Sequence, residues 1–367
     1  MQENDNRFLE KHFKRVILRK KANNQHLKRK IYAMKNIAFA GCAHIHTPSF
    51  VKMLKERAGE FQVVKVWDHD TARAKNTADQ FNAVVCDSPE EIANDPAIDA
   101  VVITSETNRH KELATMMANA EKHLFIEKPL GFAAADAKEL AELIRSKGII
   151  FQTGYFMRGL GPIRQIKKMA EEGKFGTITR MRFSNCHTGS LGGWFDADWR
   201  WMADPSIAGC GAFGDLGTHA LDIIMWILGR PSKITASIHT VTARYGADCD
   251  ESGEALLEFP SGAIATLAGG WVDHSNPMLC EISGTKAHAA VIFDKLYFSS
   301  NERTYPANRE PVEDVLENLP HAFQLFLNKL NGNNVPLVDV QEAADRNIVM
   351  EAAYRSNAEG VRLAIEY

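Results

Sequence analysis

No apolar run in the 367-residue sequence approaches the roughly 18–20 residues that a membrane-spanning helix requires. A membrane is therefore not an expected partner. The six cysteines (Cys42, Cys86, Cys186, Cys210, Cys249 and Cys280) form no Cys-x-x-Cys pair, and no secretory signal precedes them. That pattern excludes a zinc ribbon or a disulfide scaffold and points to free thiols in a reducing cytoplasm. Charge of one sign is also missing. Lys and Arg total 43 against 46 Asp and Glu, a net charge of −3, so no nucleic-acid partner is expected. There is no internal repeat and no low-complexity segment. Thirteen histidines invite a metal hypothesis, but His44 and His46 have no third and fourth ligand at zinc spacing, so no metal is expected.

What is present reads as two domains behind a short extension. Residues 1–33 are rich in Lys and Arg and precede a strong strand that starts just after Met34. They fit a signal peptide poorly, having acidic residues and no continuous apolar core. A basic interaction arm is one alternative; the favoured reading is an extension without catalytic consequence. From 34 to 152 short apolar runs alternate with helical stretches. Ile37–Ala40, Val63–Trp67, Ala100–Thr104, Leu124–Ile126 and Ile149–Thr153 read as strands. Between them Thr71–Phe81, Lys111–Ala120 and Ala133–Ser146 read as helices. Strand–helix alternation predicts an α/β Rossmann domain, a doubly wound parallel sheet.

From 153 to 367 the pattern changes. A helix at Ile163–Glu172 leads into strand-like stretches at Ile178–Asn185, Ile234–Thr242, Glu254–Phe259, Ala263–Val272, Leu279–Ser283 and Ala289–Phe293. Pro260-Ser261-Gly262 predicts a hairpin turn. Helices at His321–Leu330 and Val340–Glu359 close the chain. Grouped strands with helices to one side predict an α+β domain on a large, mostly antiparallel open sheet. An open sheet face with apolar stripes predicts a homodimer or homotetramer.

The first strand runs into Gly41-Cys42-Ala43-His44-Ile45-His46. A dinucleotide loop wants glycine at three places, so that backbone N–H groups can approach pyrophosphate at a helix N-terminus. Here Ala43 and His46 replace the second and third glycines, while Thr47-Pro48 supplies an expected N-cap and first helical residue. Asp68 ends the second strand and fits a ribose-hydroxyl acceptor, which favours NAD; a strand-end turn residue is the plainer reading. Arg73 offers a phosphate partner and keeps NADP open.

Three further pieces carry chemistry. Glu127-Lys128-Pro129 follows a strand at the carboxyl edge of the parallel sheet, where such folds hold ligands. Asp215 and His219 lie four apart on a predicted helix, so the carboxylate is expected to orient the imidazole as a general base. A helix cap and a core histidine are the plainer reading. The glycines before this pair argue for close backbone approach. Trp194, Trp199 and Trp201 crowd into eight residues with Phe195 and Arg200, which suits a sugar ring or, equally, a covered sheet.

The combination of a Rossmann pattern, Glu127-Lys128-Pro129 and a glycine-rich Asp215-x-x-x-His219-x-x-Asp222 helix resembles the Gfo/Idh/MocA oxidoreductase family. The resemblance runs from Asn36 to about Gly360 and includes the Thr104–His110 loop ending in Asn108-Arg109-His110. It implies an NAD-dependent dehydrogenase acting on a secondary alcohol of a sugar, glycoside or cyclic polyol. It implies Lys128, Asp215 and His219 as the catalytic group, with the Lys128–Pro129 bond cis as often in relatives. The cofactor is expected against Gly41, Cys42, Ala43, His44, Ile45, Asp68, His69, Arg73, Thr104, Ser105, Asn108, His110, Glu127, Lys128 and Pro129. The substrate is expected against Tyr155, Arg158, Asn185, His187, Trp199 and Arg200, with Asp215 and His219. Two rivals of the same fold remain: an enzyme that cleaves glycosides through transient use of NAD, and a non-catalytic dinucleotide-binding regulator.

Overall fold

The computed structural model describes residues 33–301 and 310–367. Residues 1–32, where almost all of the predicted basic extension falls, lie outside them. The first sheet is assembled from β1 (Lys35–Cys42), β2 (Phe61–Trp67), β3 (Val84–Val85), β4 (Ala100–Thr104), β5 (His123–Ile126) and β6 (Phe151–Thr153). Helices α1 (Thr47–Glu56), α2 (Thr71–Asp79), α3 (Glu90–Ala93), α4 (His110–Asn119) and α5 (Ala134–Lys147) connect them. The strand order is β3-β2-β1-β4-β5-β6, all parallel. The chain therefore reverses direction of winding between β1 and β4, and the loops there open at the carboxyl edge. The central strands β1, β4 and β5 are apolar through most of their length because helices cover both faces. Ile37, Phe39, Val101, Val102, Leu124 and Phe125 are all fully buried. The parallel sheet agrees with the sequence reading, which missed only β3, two residues long.

After α6 (Gly161–Glu171) the second sheet gathers β7 (Ile178–Cys186), then, following α7 (Pro205–Ala208) and α8 (Ala212–Leu228), β8 (Lys233–His239), β9 (Ser252–Glu258), β10 (Ile264–Gly270), β11 (Met278–Gly284), β12 (Ala287–Ile292) and β13 (Lys295–Ser300). Helices α9 (Ala322–Leu330) and α10 (Val340–Glu359) and strand β14 (Leu363–Ala364) complete the chain. Its order is β13-β12-β11-β7-β10-β9-β8-β14. Every pairing is antiparallel except β7 with β10. The turn at Pro260-Ser261-Gly262 joins β9 to β10 as an antiparallel hairpin, as predicted.

One face of this sheet packs on α8. Phe213, Leu221 and Ile224 share a core with Met181, Phe183, Leu257, Ala265 and Leu267. The glycines of α8 serve this packing. A Cβ on Gly269 of β10 would lie 2.7 Å from the Gly217 nitrogen and 3.0 Å from its Cα. Helix and strand therefore meet backbone to backbone, which answers what the glycine-rich segment approaches. The chain order hides one contact. The α9 residues Phe323, Phe326 and Leu327 follow the second sheet in sequence yet pack with Phe50 of α1 and Phe125 of β5 in the first domain. Among the described residues no helix is long and apolar enough to cross a membrane.

Candidate active site

The turn after β1 depends on one glycine. Gly41 has φ +89°, and a Cβ there would run into Ser105. A side chain at 41 would be both strained and blocked. Thr104 Oγ1 donates to the Gly41 carbonyl at 2.8 Å and accepts from Thr47 Oγ1 at 3.1 Å. The predicted cap is corrected here: His46 is the N-cap and Thr47 the first helical residue, its hydroxyl spent on Thr104. A groove of about 450 Å³ runs beside this turn, lined by Cys42, Ala43, His44, Thr47, Asp70 and Arg73 among others. With the α1 N-terminus at its edge, the groove suits a pyrophosphate.

Helix α8 delivers the next two side chains and is fixed at its N-terminus and again at its middle. The Asp250 carboxylate accepts from the N–H groups of Gly211 at 2.9 Å and Phe213 at 2.7 Å, and Tyr354 Oη donates to it at 2.8 Å. Three residues past His219, Asp222 accepts from Arg158 (2.6 and 2.8 Å) and from Arg346 (3.0 Å). Held this way, α8 presents Asp215 and His219 to a cavity of about 340 Å³. Lys128, from the loop after β5, lines the same cavity, together with His44, Ile45, His46, Asn185 and His187. The Lys128–Pro129 peptide bond is cis.

The predicted Asp215–His219 hydrogen bond is absent, and this is a correction. Lys128 Nζ donates to Asp215 Oδ1, 87 residues away, and the buried Trp271 Nε1 donates to Oδ2 at 3.0 Å. Both carboxylate oxygens are thereby occupied, and the His219 Nδ1 is buried with no hydrogen-bond partner. Electrostatics follow from this arrangement. Burial raises the Asp215 carboxyl, but the Lys128 charge and hydrogen bond outweigh it and hold the group at about 2. Burial opposes the Lys128 charge, yet Asp215 and Glu127 outweigh burial and its pKa rises. Burial and then the Lys128 ammonium push His219 down to about 3. At neutral pH the cavity thus holds a charged Lys–Asp pair and an uncharged imidazole with a vacant proton site.

The remaining expected residues divide. Asn185 lines the cavity while its amide donates to the Leu216 carbonyl at 3.0 Å. His187 lines it with its ring 4.7 Å from the Trp194 ring. Trp199 lines the groove beside the phosphate loop instead. Three substrate expectations are corrected. Tyr155 is buried with its hydroxyl on Thr218 at 2.9 Å. Arg158 is spent on Asp222 and Glu342 and lines a different cavity. Arg200 donates to the carbonyls of Ala203 and Tyr245. On the cofactor side, Asp68 is buried at the end of β2 beside His69 and Arg73. Ser105 is buried, and His110 Nδ1 meets the Pro129 carbonyl at 2.9 Å, bracing the loop that carries Lys128. Asn108 is exposed and lines none of these cavities.

Sequence reasoning missed three lining groups, Met202, Leu216 and Phe156, while Trp194 and Phe195 line the same cavity from the aromatic segment that it named. Trp194 stood in the aromatic segment that prompted the sugar reading, and its 46% exposure beside His187 marks it out. His44 and His46 have no third ligand at zinc spacing along the sequence, but the fold brings one ligand-type side chain to them from afar. Glu127 comes within 2.9 Å of His46 Nδ1 across 81 residues, and the three side chains' ligand atoms lie within 4.8 Å of one another.

Comparison with known proteins agrees with this architecture. Residues 35–155 match a family model described as an oxidoreductase family with an NAD-binding Rossmann fold, and residues 163–290 match the GFO/IDH/MocA C-terminal domain. The chain belongs to the Gfo/Idh/MocA oxidoreductase family, and its first domain is an NAD-binding Rossmann domain. It is similar to levoglucosan dehydrogenase of Pseudarthrobacter phenanthrenivorans, 27% identical over 226 residues, 55% of this chain and 57% of that one. It is also similar to 2,7-anhydro-N-acetylneuraminate hydratase of Escherichia coli, 26% identical over 229 residues, 59% of this chain and 58% of that one. The matches thus span under two thirds of either relative's length. A structure of levoglucosan dehydrogenase in complex with NADH and levoglucosan superposes with a TM-score of 0.76 at 19% identity, covering 91% of this chain and all of that one.

Proposed function

We propose that this chain is an NAD-dependent dehydrogenase that oxidises a secondary alcohol of a sugar, glycoside or cyclic polyol, or reduces the matching ketone. In this reading residues 34–152 hold the dinucleotide and residues 153–367 the substrate. The observation that carries it is the convergence of Lys128, Asp215 and His219 on one cavity bordered by His44 and Ile45 of the dinucleotide loop. The groove beside Gly41, the α1 N-terminus and the acidic end of β2 fit the cofactor. Bound dinucleotide supplies the hydride acceptor; the chain supplies the rest.

His219 takes the hydroxyl proton: burial and Lys128 keep its ring neutral, so one ring nitrogen keeps a lone pair to accept it. The Lys128 ammonium hydrogen-bonds the reacting oxygen and favours the charge that builds on it as the proton leaves. Asp215, itself held by Trp271, keeps Lys128 charged and in place. The Trp194 and His187 rings offer a sugar an apolar wall. Exposed Leu256, Ile264 and Met278 on the second sheet support a homo-oligomer, which light scattering on purified protein would test.

The test is a panel of pyranoses, inositols and glycosides incubated with NAD, read at 340 nm. Steady NADH accumulation with a free sugar or polyol supports the dehydrogenase. Bond cleavage without accumulation would replace it with the redox-neutral reading, which similarity to a hydratase keeps in play. Dinucleotide binding with neither outcome across the panel would favour a regulator.

A further inference from the structure

Arg73 is the residue the sequence left available for a phosphorylated dinucleotide, and the structure engages two of its three guanidinium nitrogens, Nε and Nη2, with carboxylates. Its Nε donates to Asp68 Oδ2 at 2.9 Å, and its Nη2 donates to Asp68 Oδ1 at 2.6 Å and to Glu106 Oε1 at 2.8 Å. The two carboxylates differ in what they have left to give. Asp68 also accepts from the N–H groups of Cys42 at 2.6 Å and Asp70 at 2.8 Å. A carboxylate offers about four lone-pair sites, so Asp68 is saturated and braces its own loop. Glu106 accepts from Arg73 through one oxygen only. Its Oε2 is buried without a hydrogen bond, and the side chain is 8% exposed. The other charged or titratable groups facing it are His69 Nδ1 at 3.5 Å and Arg109 Nε at 4.0 Å.

We propose that Glu106 is a specificity-determining residue. With Asp68 it clamps Arg73 between two carboxylates, which turns the adenosine end of the site toward NAD and against NADP. The proposal rests on the reading that the dinucleotide lies along the carboxyl edge of β1, β2 and β4. The chemistry is a matter of donors. A ribose 2′-hydroxyl carries a proton to give, and Glu106 Oε2 is an acceptor with capacity to spare, buried in the carboxylate that holds the groove-lining Arg73. A 2′-phosphate carries about −1.5 to −2 charges at neutral pH and mainly accepts. It would meet two carboxylates that both hold Arg73, whose Nε and Nη2 are already committed to them, so the cluster disfavours it even with Arg109 Nε 4.0 Å from Glu106. Glu106 lies in the Thr104–His110 loop, whose Thr104, Ser105, Asn108 and His110 were the expected contacts; this acid between them was not.

The test is equilibrium binding of NAD and NADP to the purified full chain, followed by calorimetry or tryptophan fluorescence at fixed ionic strength. The wild type should bind NAD more tightly. Glu106→Gln keeps the size and removes the charge; it should lower the NAD-to-NADP preference by about tenfold or more, chiefly through tighter NADP. Adding Arg73→Ala to that variant should reverse the gain. A second measurement needs no variant: ADP-ribose should outcompete its 2′-phosphorylated form on the wild type by about tenfold. An unchanged preference in Glu106→Gln, or equal or tighter binding of the phosphorylated ligands by the wild type, overturns the proposal and leaves the dinucleotide reading standing. Failure of every one of these ligands to bind the wild type overturns that reading, and the proposal with it.

Discussion

Replacing Asp215 by asparagine would leave the Lys128 ammonium, whose side chain is 3% exposed, without its only ionic partner within 4 Å among the described residues. Breaking a buried pair from one side typically costs about 3–5 kcal/mol, because a desolvated charge stays behind. Two features place Asp215→Asn near the low end. Glu127 still favours the lysine charge, and the Asp215 side chain is 15% exposed, so water shares the load. Lys128→Met belongs near the high end, since it leaves the Asp215 carboxylate buried without its ionic partner and also takes a favouring charge from Glu127, which keeps His46. In the double variant the amide introduced in place of the Asp215 carboxylate retains a partner in Trp271, and no lysine charge is stranded. That protein should therefore be more stable than the two single losses added together. Urea denaturation of the four proteins at pH 7 measures this, with midpoints and slopes compared. Losses under about 0.5 kcal/mol for both single variants, or strict additivity, would refute the claim that Lys128 and Asp215 form a buried charge pair.

Three other outcomes follow from the same site. His219→Ala should lower turnover by about 10²–10⁴ in stopped or continuous assay at 340 nm while leaving NAD affinity near normal; unimpaired turnover would remove the imidazole from the scheme. Trp194→Ala should raise KM for the sugar more than it lowers kcat, and a pure kcat effect would argue against a ring contact. Stability should fall on acidification. His44, His110, His123, His187, His219 and His321 are all pushed below the ordinary histidine pKa, chiefly by burial. Between about pH 6.5 and their lower folded values the unfolded chain binds more protons, so stability rises with pH through that window and is lost as pH falls. Melting temperatures that stay flat from pH 7 to pH 5 would contradict this.

The parallel sheet was legible because its central strands are buried on both faces and so read as continuous apolar runs. β3 escaped because Val84–Val85 is too short to show a period, and β13 because Lys295–Ser300 alternates weakly between charged, aromatic and hydroxyl residues. The candidate catalytic side chains were legible through motif spacing, but their pairing was not. A separation of four along α8 suggested Asp215 with His219, whereas the fold brings Lys128 from 87 residues away and Trp271 from 56. Local spacing lists which partners are reachable; packing decides among them. Arg158 and Tyr155 failed as substrate groups for the same reason. Their position in the chain gave no sign that α8 would draw both inward, onto Asp222 and Thr218.

The central claim is that His219 and Lys128 act on one substrate oxygen. A crystal structure of the chain with NAD and a polyol that it oxidises measures this directly. The account predicts an imidazole nitrogen of His219 and the Lys128 Nζ both within about 2.7–3.2 Å of the same hydroxyl oxygen. A complex in which that hydroxyl touches neither group, or in which the two contact different parts of the ligand, would contradict it.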